Sequence, residues 1–486
     1  MSGSLAQSAA RGMFFTLGAQ GVKILLQLVS VAVLARLLTP HDYGLIAIVL
    51  VIVGAGEIFR DFGLTAASIQ APTLSRGQRD NLFWLNTAIG VVLSVVVFLV
   101  SWPAQWVTGL AEITPVVQCL ALLFVLNGLA TQHRANLLRQ LRFKAIAAID
   151  IGASFIGLTV AVVAALGGLG YWALVLQQLT IGAIGMVGAV ALGRWLPRLP
   201  DRTESIRGFI GFGWNLVATN LLMYAGSQLD TVLVGARYGT SALGLYNRAF
   251  QLVMTPLNQV RGPINSVAQP VFARVQNDQV RFERYVVAGQ LALGYGIGLV
   301  LAILAALSWP VVTVMLGPRW LEAAPILCLF AIAAMLSNIS MIGYWVYVSR
   351  GLTAQLFRYT LVSLAIKVVC LVTGSFFGVV GVAVGFAVAP AISWPISLWW
   401  LSRLTPMPVR ELYAGAARIL IVCVAAAAAA WGAGVQLSAT LPPVAQIVIG
   451  GFAGLAAAAL TLLVPLIRRD AGTLVWFARL MVNRKA

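Results

Sequence analysis

Residues Tyr43–Gln70 read YGLIAIVLVIVGAGEIFRDFGLTAASIQ, and this stretch decides the fold. Most of it is apolar enough to cross a lipid bilayer, yet Glu57, Arg60 and Asp61 lie within five residues of one another. Charged side chains inside a membrane are costly, so they usually face a water-filled cavity or a partner and mark a transport path. The stretch therefore predicts a membrane helix that lines a polar cavity.

The composition of the whole chain is typical of a polytopic membrane protein. Of its 486 residues 60% are hydrophobic and 9% are charged, and the mean hydropathy is +0.93. These values exclude an ordinary soluble protein. The four cysteines lie singly in apolar segments, and the two histidines have no ligand-like neighbours. We therefore predict no disulfide framework and no metal site.

A membrane-spanning helix needs about 20 apolar residues, and fourteen segments meet this requirement. They are 14–38, 43–69, 82–101, 113–138, 145–166, 171–193, 209–236, 243–273, 285–307, 324–348, 355–376, 379–401, 414–436 and 443–467. The first is too long for the core of a signal peptide, so we expect it to be retained. The connections are too short to fold independently. The sequence thus predicts an all-α polytopic membrane protein with fourteen transmembrane helices.

Basic residues are concentrated in alternate connections. If the N-terminus is cytoplasmic, the inside connections and termini carry 24 of the 32 lysines and arginines, whereas the outside ones carry only Arg36, Arg237 and Arg319. The inside group includes Arg76, Arg79, Arg142 and Arg194. This asymmetry predicts that both termini lie in the cytoplasm. It also accounts for the net charge of +18, with attraction to anionic membrane lipids as a side effect.

An internal repeat has an offset of 200 residues. Tyr43-Gly44-Leu45 opens the second predicted helix, and Leu243-Gly244-Leu245 opens the eighth. Transporters with two such copies in the same orientation carry their site between the halves. We therefore predict two pseudo-symmetric six-helix lobes, 1–201 and 202–403, with the second and eighth helices facing each other across a central cavity. The remaining residues, 404–486, would form helices 13 and 14 and a basic cytoplasmic tail.

Eight charged residues stay inside the predicted membrane segments. The cations are Lys23, Arg60, Arg248, Arg261 and Lys367, and the acids are Glu57, Asp61 and Asp230. Arginine binds phosphate in a bidentate manner and stays charged at any relevant pH. The five cations are therefore predicted to bind a diphosphate, and the three acids to tune the site or couple it to a cation.

A purely structural role for some of these charges is the alternative. Glu57 and Arg60 are spaced i and i+3, which allows a local ion pair that only holds helices together. Arg261 has no acidic residue within four positions, so its charge is harder to explain in this way.

Three prolines recur every seven residues in the eighth predicted helix. They are Pro256, Pro263 and Pro270. Each removes a backbone hydrogen bond and favours a kink, so we predict that this helix bends and that the kinks serve gating. The alternative is that prolines are simply more common in membrane helices. The chain has no GxxxxGK[ST] loop for nucleotide hydrolysis.

Four segments resemble those of a known family. They are ARLLTPHDYGLIAI (35–48), DFGLTAASIQ (61–70), LGLYNRAFQL (243–252) and QPVFARVQND (269–278). They resemble bacterial polysaccharide transporters, the Wzx-type flippases that serve O-antigen, colanic acid, xanthan and similar polysaccharides. These transporters belong to the multidrug/oligosaccharidyl-lipid/polysaccharide (MOP) exporter superfamily. The similarity extends over essentially the whole chain.

The resemblance implies a V-shaped bundle, related to multidrug exporters (MATE transporters), that works by alternating access in the bacterial inner membrane. It implies flipping of undecaprenyl-diphosphate-linked oligosaccharide repeat units to the periplasmic leaflet, without a cofactor and coupled to H⁺, Na⁺ or the membrane potential. Polymerases and glycosyltransferases would be its partners. A drug/cation antiporter on the same fold is the alternative, and an enzyme that polymerises or ligates polysaccharide is a third.

Overall fold

The computed structural model describes residues 2–61, 68, 74–201, 204, 207–436 and 440–482, and its regular structure there is entirely helical. Within these residues, eleven helical segments are long and apolar enough to cross a membrane. The chain is therefore a multi-pass membrane protein. The predicted total of fourteen crossings and their orientation stay predictions.

The first six helices follow the first six predicted segments. They are α1 (Ser2–Leu37), α2 (Pro40–Asp61), α3 (Arg76–Thr108), α4 (Ile113–Arg139), α5 (Phe143–Leu166) and α6 (Trp172–Gly193). Their ends carry recognisable signals. The Ser75 side chain accepts from the backbone N–H of Gln78, whose own side chain reaches back to complete a capping box at the start of α3. Gly109, in the left-handed conformation with φ of 71°, ends the same helix.

The next helix, α7 (Arg207–Val275), contains the predicted seventh and eighth segments. Its backbone leaves helical geometry at Gly239, where φ is 78° and ψ is −177°. A side chain would be strained at this φ, so glycine permits the break. The break falls between the predicted segments 209–236 and 243–273. The helix continues through Pro256, Pro263 and Pro270, and the predicted gating role of these prolines is not tested.

The remaining helices continue to the C-terminal side. They are α8 (Gln279–Leu293), α9 (Leu299–Ala306), α10 (Ser308–Met315), α11 (Ala323–Ser349), α12 (Thr353–Gly374), α13 (Gly378–Leu404), α14 (Val409–Trp431), α15 (Pro443–Leu460) and α16 (Pro465–Val482). A π-helical turn, Gly294–Gly298, joins α8 to α9, so that the two form one continuous helical segment. A second π-helical turn, Gly432–Gln436, extends α14.

The chain forms two compact units, Met1–Asn247 and Arg248–Ala486. The boundary falls within α7, and the predicted lobe boundaries after residues 201 and 403 stay a prediction. In the second unit, a cluster of buried aromatic and aliphatic side chains joins α7, α8, α11, α13 and α14. Its larger members are Phe272, Phe282, Trp345, Tyr347, Leu398, Leu401 and Leu412. Burial of these apolar side chains against one another favours the close packing of the five helices.

The repeat reappears in the first unit as a matched pair of backbone contacts. A Cβ atom placed on Gly44 would lie 1.7 Å from the carbonyl oxygen of Thr240, and one placed on Gly244 would lie 1.8 Å from that of Pro40. Both glycines and both carbonyl groups are related by the 200-residue offset. The start of α2 and the part of α7 that follows Gly239 therefore touch through backbone alone, in the way small residues let membrane helices approach.

The C-terminal segment predicted as a basic tail forms α16, which packs against other helices of the second unit. Buried Asp470 accepts hydrogen bonds from the Arg418 guanidinium at 2.7 and 2.9 Å and from the Tyr295 hydroxyl at 3.0 Å. The Trp476 ring lies 5.5 Å from the Tyr285 ring, centroid to centroid. The ion pair therefore joins α14 to α16, and the aromatic contact joins α16 to α8.

Asp470→Ala is expected to lower the free energy of unfolding by about 2 kcal/mol, because it leaves the half-buried Arg418 without its bidentate partner. Thermal unfolding of the detergent-purified protein, followed by tryptophan fluorescence, measures the change. Arg469→Ala removes an exposed neighbouring charge and is the matched control. Its expected effect is within about 0.5 kcal/mol. Equal unfolding midpoints for the two variants would contradict the assigned role of the ion pair.

Candidate substrate-binding charges

Arg60 lies in the last turn of α2 and contacts α4. Its Nε donates to Glu57 Oε2 at 2.6 Å, and its Nη1 donates to Thr131 Oγ1 at 2.5 Å. Asn127 Nδ2 donates to Glu57 Oε1 at 2.9 Å. The Arg60 side chain is 14% exposed, so this network holds the guanidinium in one place. The local ion pair with Glu57, which the sequence left open as an alternative, is formed.

Arg261 lies in the second half of α7 and has a neutral partner. Its Nε donates to Asn338 Oδ1, on α11, at 3.2 Å. Among the described residues, no carboxylate oxygen comes within 4 Å of a nitrogen of this guanidinium. Its positive charge is therefore not neutralised locally, unlike that of Arg60.

The two arginines occupy corresponding places in their halves. Arg60 binds a hydroxyl group on the fourth predicted helix, and Arg261 binds an amide on the tenth, which is its repeat mate. Sequence reasoning missed Thr131 and Asn338 as partners. Both are polar residues in otherwise apolar helices, which could have marked them as partners. Many such residues, however, only form hydrogen bonds with the backbone of their own helix. Asn338, for instance, also donates to the carbonyl of Ala334 in the preceding turn at 2.9 Å.

The predicted cation Lys23 belongs to a different cluster in the first unit. Its Nζ lies 3.7 Å from Asp150 Oδ2, and Arg134 Nη2 lies 2.7 Å from Asp150 Oδ1. Two cations thus share one carboxylate that sequence analysis did not assign to the site. The Lys23 side chain is 42% exposed, so part of its charge faces outward from the pair.

The other predicted residues have partners of several kinds. Lys367 Nζ lies 5.1 Å from the centre of the Phe386 ring, within cation–π range. Buried Asp230 accepts from the Tyr246 hydroxyl at 3.1 Å. Arg248 is the first residue of the second unit. The side chain of Asp61 lies outside the described residues. The structure thus joins Glu57 to Arg60 and places Asp230 in a separate contact.

Known proteins similar to this chain point to polysaccharide assembly. The model of the family described as "Polysaccharide biosynthesis protein" matches residues 33–325. The lipopolysaccharide biosynthesis protein WzxC of Escherichia coli is 27% identical, and the match covers 80% of each chain. The succinoglycan biosynthesis transport protein ExoT of Rhizobium meliloti is 24% identical, with 63% of this chain and 62% of ExoT covered.

Two solved structures share the fold. The lipid II flippase MurJ, in an inward closed conformation, matches with a TM-score of 0.68 at 13% identity, covering 92% of this chain and 99% of MurJ. An inward-facing multidrug resistance MATE transporter of the MOP superfamily matches with a TM-score of 0.62 at 14% identity. The match covers 80% of this chain and 95% of that transporter. Both matches confirm the predicted fold relationship. The family match over more than half of the sequence confirms the resemblance to bacterial polysaccharide transporters: the chain belongs to the polysaccharide biosynthesis protein family.

Proposed function

We propose that this protein flips undecaprenyl-diphosphate-linked oligosaccharide repeat units from the cytoplasmic to the periplasmic leaflet of the bacterial inner membrane. The observation that carries the proposal is Arg261, a half-buried guanidinium with an amide partner and no carboxylate within 4 Å among the described residues. A charged side chain in a membrane protein usually pairs with an opposite charge, and a diphosphate esterified at both ends, with one negative charge on each phosphate, provides such a partner.

Arg60 would supply the second cation in the other half. Its contacts with Glu57 and Thr131 occupy Nε and Nη1, which leaves Nη2 to approach a phosphate oxygen. Lys23, Lys367 and Arg248 would extend the positive field along the path. Glu57, Asp61 and Asp230 would couple transport to H⁺, Na⁺ or the membrane potential, with no cofactor. A polymerase and glycosyltransferases acting on the same repeat unit would be the partners.

The transport cycle would be alternating access in a fourteen-helix protein with both termini in the cytoplasm. The prolines of α7 would serve as hinges, because each removes one backbone hydrogen bond from the helix. The 200-residue repeat supports this mode of transport, since two similar halves can exchange roles on the two sides of the membrane.

A drug/cation antiporter is the second candidate, favoured by the fold shared with a MATE transporter. A cation site needs buried acids in excess, whereas the membrane segments of this chain contain five predicted buried cations and three acids. No observation favours the third candidate, a polymerase or ligase.

Flipping in proteoliposomes tests the proposal. The purified chain would be reconstituted with a fluorescent short-chain polyprenyl-diphosphate oligosaccharide, under an imposed proton, sodium or potential gradient. We expect the label to redistribute between leaflets, as measured by quenching with a membrane-impermeant reductant. A fluorescent phosphatidylcholine should not move, which excludes leakage. Failure to flip the diphosphate lipid under all three gradients, combined with efflux of a cationic dye, would favour the antiporter instead.

A further inference from the structure

A second group of cationic side chains lies at one end of the first unit and shares no residue with the candidate substrate-binding charges discussed above. A cavity of about 860 Å³ opens where α3 begins and where α4 and α6 end. Its polar walls include Arg76, Arg79, Arg142, Arg194, Asn136 and Trp195. The sequence assigns these arginines to inside connections, where the positive-inside rule alone explains them. The sequence does not indicate that the four arginines line one cavity.

Neutral groups position two of the guanidinium groups. The Arg79 guanidinium carbon lies 4.4 Å from the centre of the Trp195 ring, and Arg79 Nη1 lies 3.4 Å from Asn136 Oδ1. Arg142 Nη1 donates to the carbonyl of Leu192 at 2.6 Å. In the described part of the chain, no carboxylate oxygen lies within 4 Å of any of the four arginines. The cavity therefore concentrates four guanidinium groups that form no direct ion pair with a described carboxylate, although buried Asp80 lies next to Arg79 in the sequence.

Buried donors in the cavity wall also need acceptors. Asn136 is only 6% exposed, and its Oδ1 accepts from Arg79 and from Gln140, whereas its Nδ2 has no acceptor among the described residues. The same is true of Arg79 Nε and Trp195 Nε1. Leaving such groups unpaired costs free energy. An anion with several oxygen atoms would accept from them and neutralise the arginines together.

Backbone strain is concentrated at the same place. Leu141 and Arg194 have φ of 55° and 48°, and they are the two non-glycine residues with positive φ in the described chain. Arg194 lines the cavity, and Leu141 stands between two lining residues, Gln140 and Arg142. Such conformations occur preferentially at binding sites. Both residues also lie where a helix ends, Leu141 just after α4 and Arg194 directly after α6.

We propose that this cavity binds the phosphate group of a lipid, either a polyprenyl diphosphate or an anionic phospholipid. Arginine is suited to phosphate because its planar fork makes two parallel hydrogen bonds. The apolar surroundings favour a lipid over a soluble anion. Leu196 lines the cavity and is 73% exposed, and Leu141, between the lining residues Gln140 and Arg142 in the sequence, is 55% exposed, so both are available to an acyl or prenyl chain. Neither Arg60 nor Arg261 lines this cavity, and binding there does not require that the protein transports lipid-linked sugar.

Binding of fluorescent farnesyl diphosphate to the detergent-purified full chain tests the proposal. The background is Arg60→Ala/Arg261→Ala, so that the transport site does not contribute. Adding Arg76→Gln/Arg194→Gln, two exposed arginines of the cavity, is expected to weaken binding at least tenfold. The matched control, Arg198→Gln/Arg358→Gln, removes two exposed arginines outside the cavity and should bind as the background does. Arg79→Gln provides a second cavity variant.

Competition identifies the source of the phosphate. Displacement by phosphatidylglycerol but not by inorganic pyrophosphate supports a phospholipid site, and displacement only by unlabelled farnesyl diphosphate supports a polyprenyl carrier. Displacement by inorganic pyrophosphate at the same concentration as farnesyl diphosphate would overturn the lipid assignment. Equal affinity in the cavity variants and the control would overturn the site itself. Failure of the proposed transport function would leave these binding results unchanged, so the two proposals are tested separately.

Discussion

Gly44→Ala and Gly244→Ala are each expected to destabilise the protein by about 3 kcal/mol or more. The new methyl carbon would overlap a backbone oxygen in both variants. It would lie 1.7 Å from the carbonyl oxygen of Thr240 in Gly44→Ala and 1.8 Å from that of Pro40 in Gly244→Ala. Neither carbonyl can rotate away as a side chain could, because moving it requires moving the helix. Overpacking that side chains can absorb costs about 1–3 kcal/mol, and backbone displacement costs more.

The measurement is the midpoint of thermal unfolding in detergent, with export of polysaccharide by the variant as a second readout. Gly185→Ala, inside α6, is the matched control, because a Cβ there meets nothing within 4 Å and no proline directly follows it. It should be neutral or slightly stabilising, since alanine is favoured over glycine within a helix by roughly 1 kcal/mol. The expected signs are therefore opposite for two glycines that both lie within helices.

Symmetry adds a second condition to this prediction. Because the two contacts are related by the 200-residue offset, Gly44→Ala and Gly244→Ala should lower the midpoint by similar amounts. The double variant should cost less than the sum, since one separation of the helices relieves both clashes. Strict additivity, or a large effect at only one of the two positions, would show that the contact is not one symmetric unit.

The positions of the helices could be predicted from the sequence because each consists of about 20 apolar residues bounded by polar connections. The same rule failed at the C-terminus. It extended the last segment to residue 467, but the helix ends before Val464, whose backbone is extended, and α16 starts at Pro465. Asp470 falls in the segment predicted to end in a basic tail. Its partner Arg418 lies 52 residues earlier in the sequence, so only the folded chain brings the two together.

The site was predicted in part. The spacing of Glu57 and Arg60 allowed the ion pair that forms, because it depends only on helical geometry. The contact from Arg261 to Asn338 depends on how α7 and α11 are rotated about their axes, which hydropathy does not determine. The arginine cavity was missed for a different reason. Positive charge at the inside ends of membrane helices is expected for topology alone, so those arginines carried no additional signal.

Arg60→Ala/Arg261→Ala is expected to abolish transport while the protein still inserts into the membrane. Removing one partner of a desolvated charge pair costs about 2 kcal/mol or more, so losing both should reduce transport roughly a thousandfold. Flipping in proteoliposomes measures the loss. Arg281→Ala is the control, because that side chain is 75% exposed and its ion pair with Asp278 is expected to contribute little.

Glu57→Gln separates a structural role of Arg60 from binding. If Arg60 only holds α2 against α4 through Glu57, Arg60→Ala and Glu57→Gln should lower the unfolding midpoint by similar amounts. They should also change the affinity for the diphosphate lipid by similar amounts. If Arg60 binds the diphosphate, the two variants should diverge. Arg60→Ala should lose affinity, whereas Glu57→Gln keeps the cation, removes the competing carboxylate and should retain or increase it. Binding measured without an ion gradient excludes effects on coupling.

Normal flipping by the double arginine variant would show that neither residue receives the substrate, and the positive charge of α2 and α7 would then need a purely structural explanation.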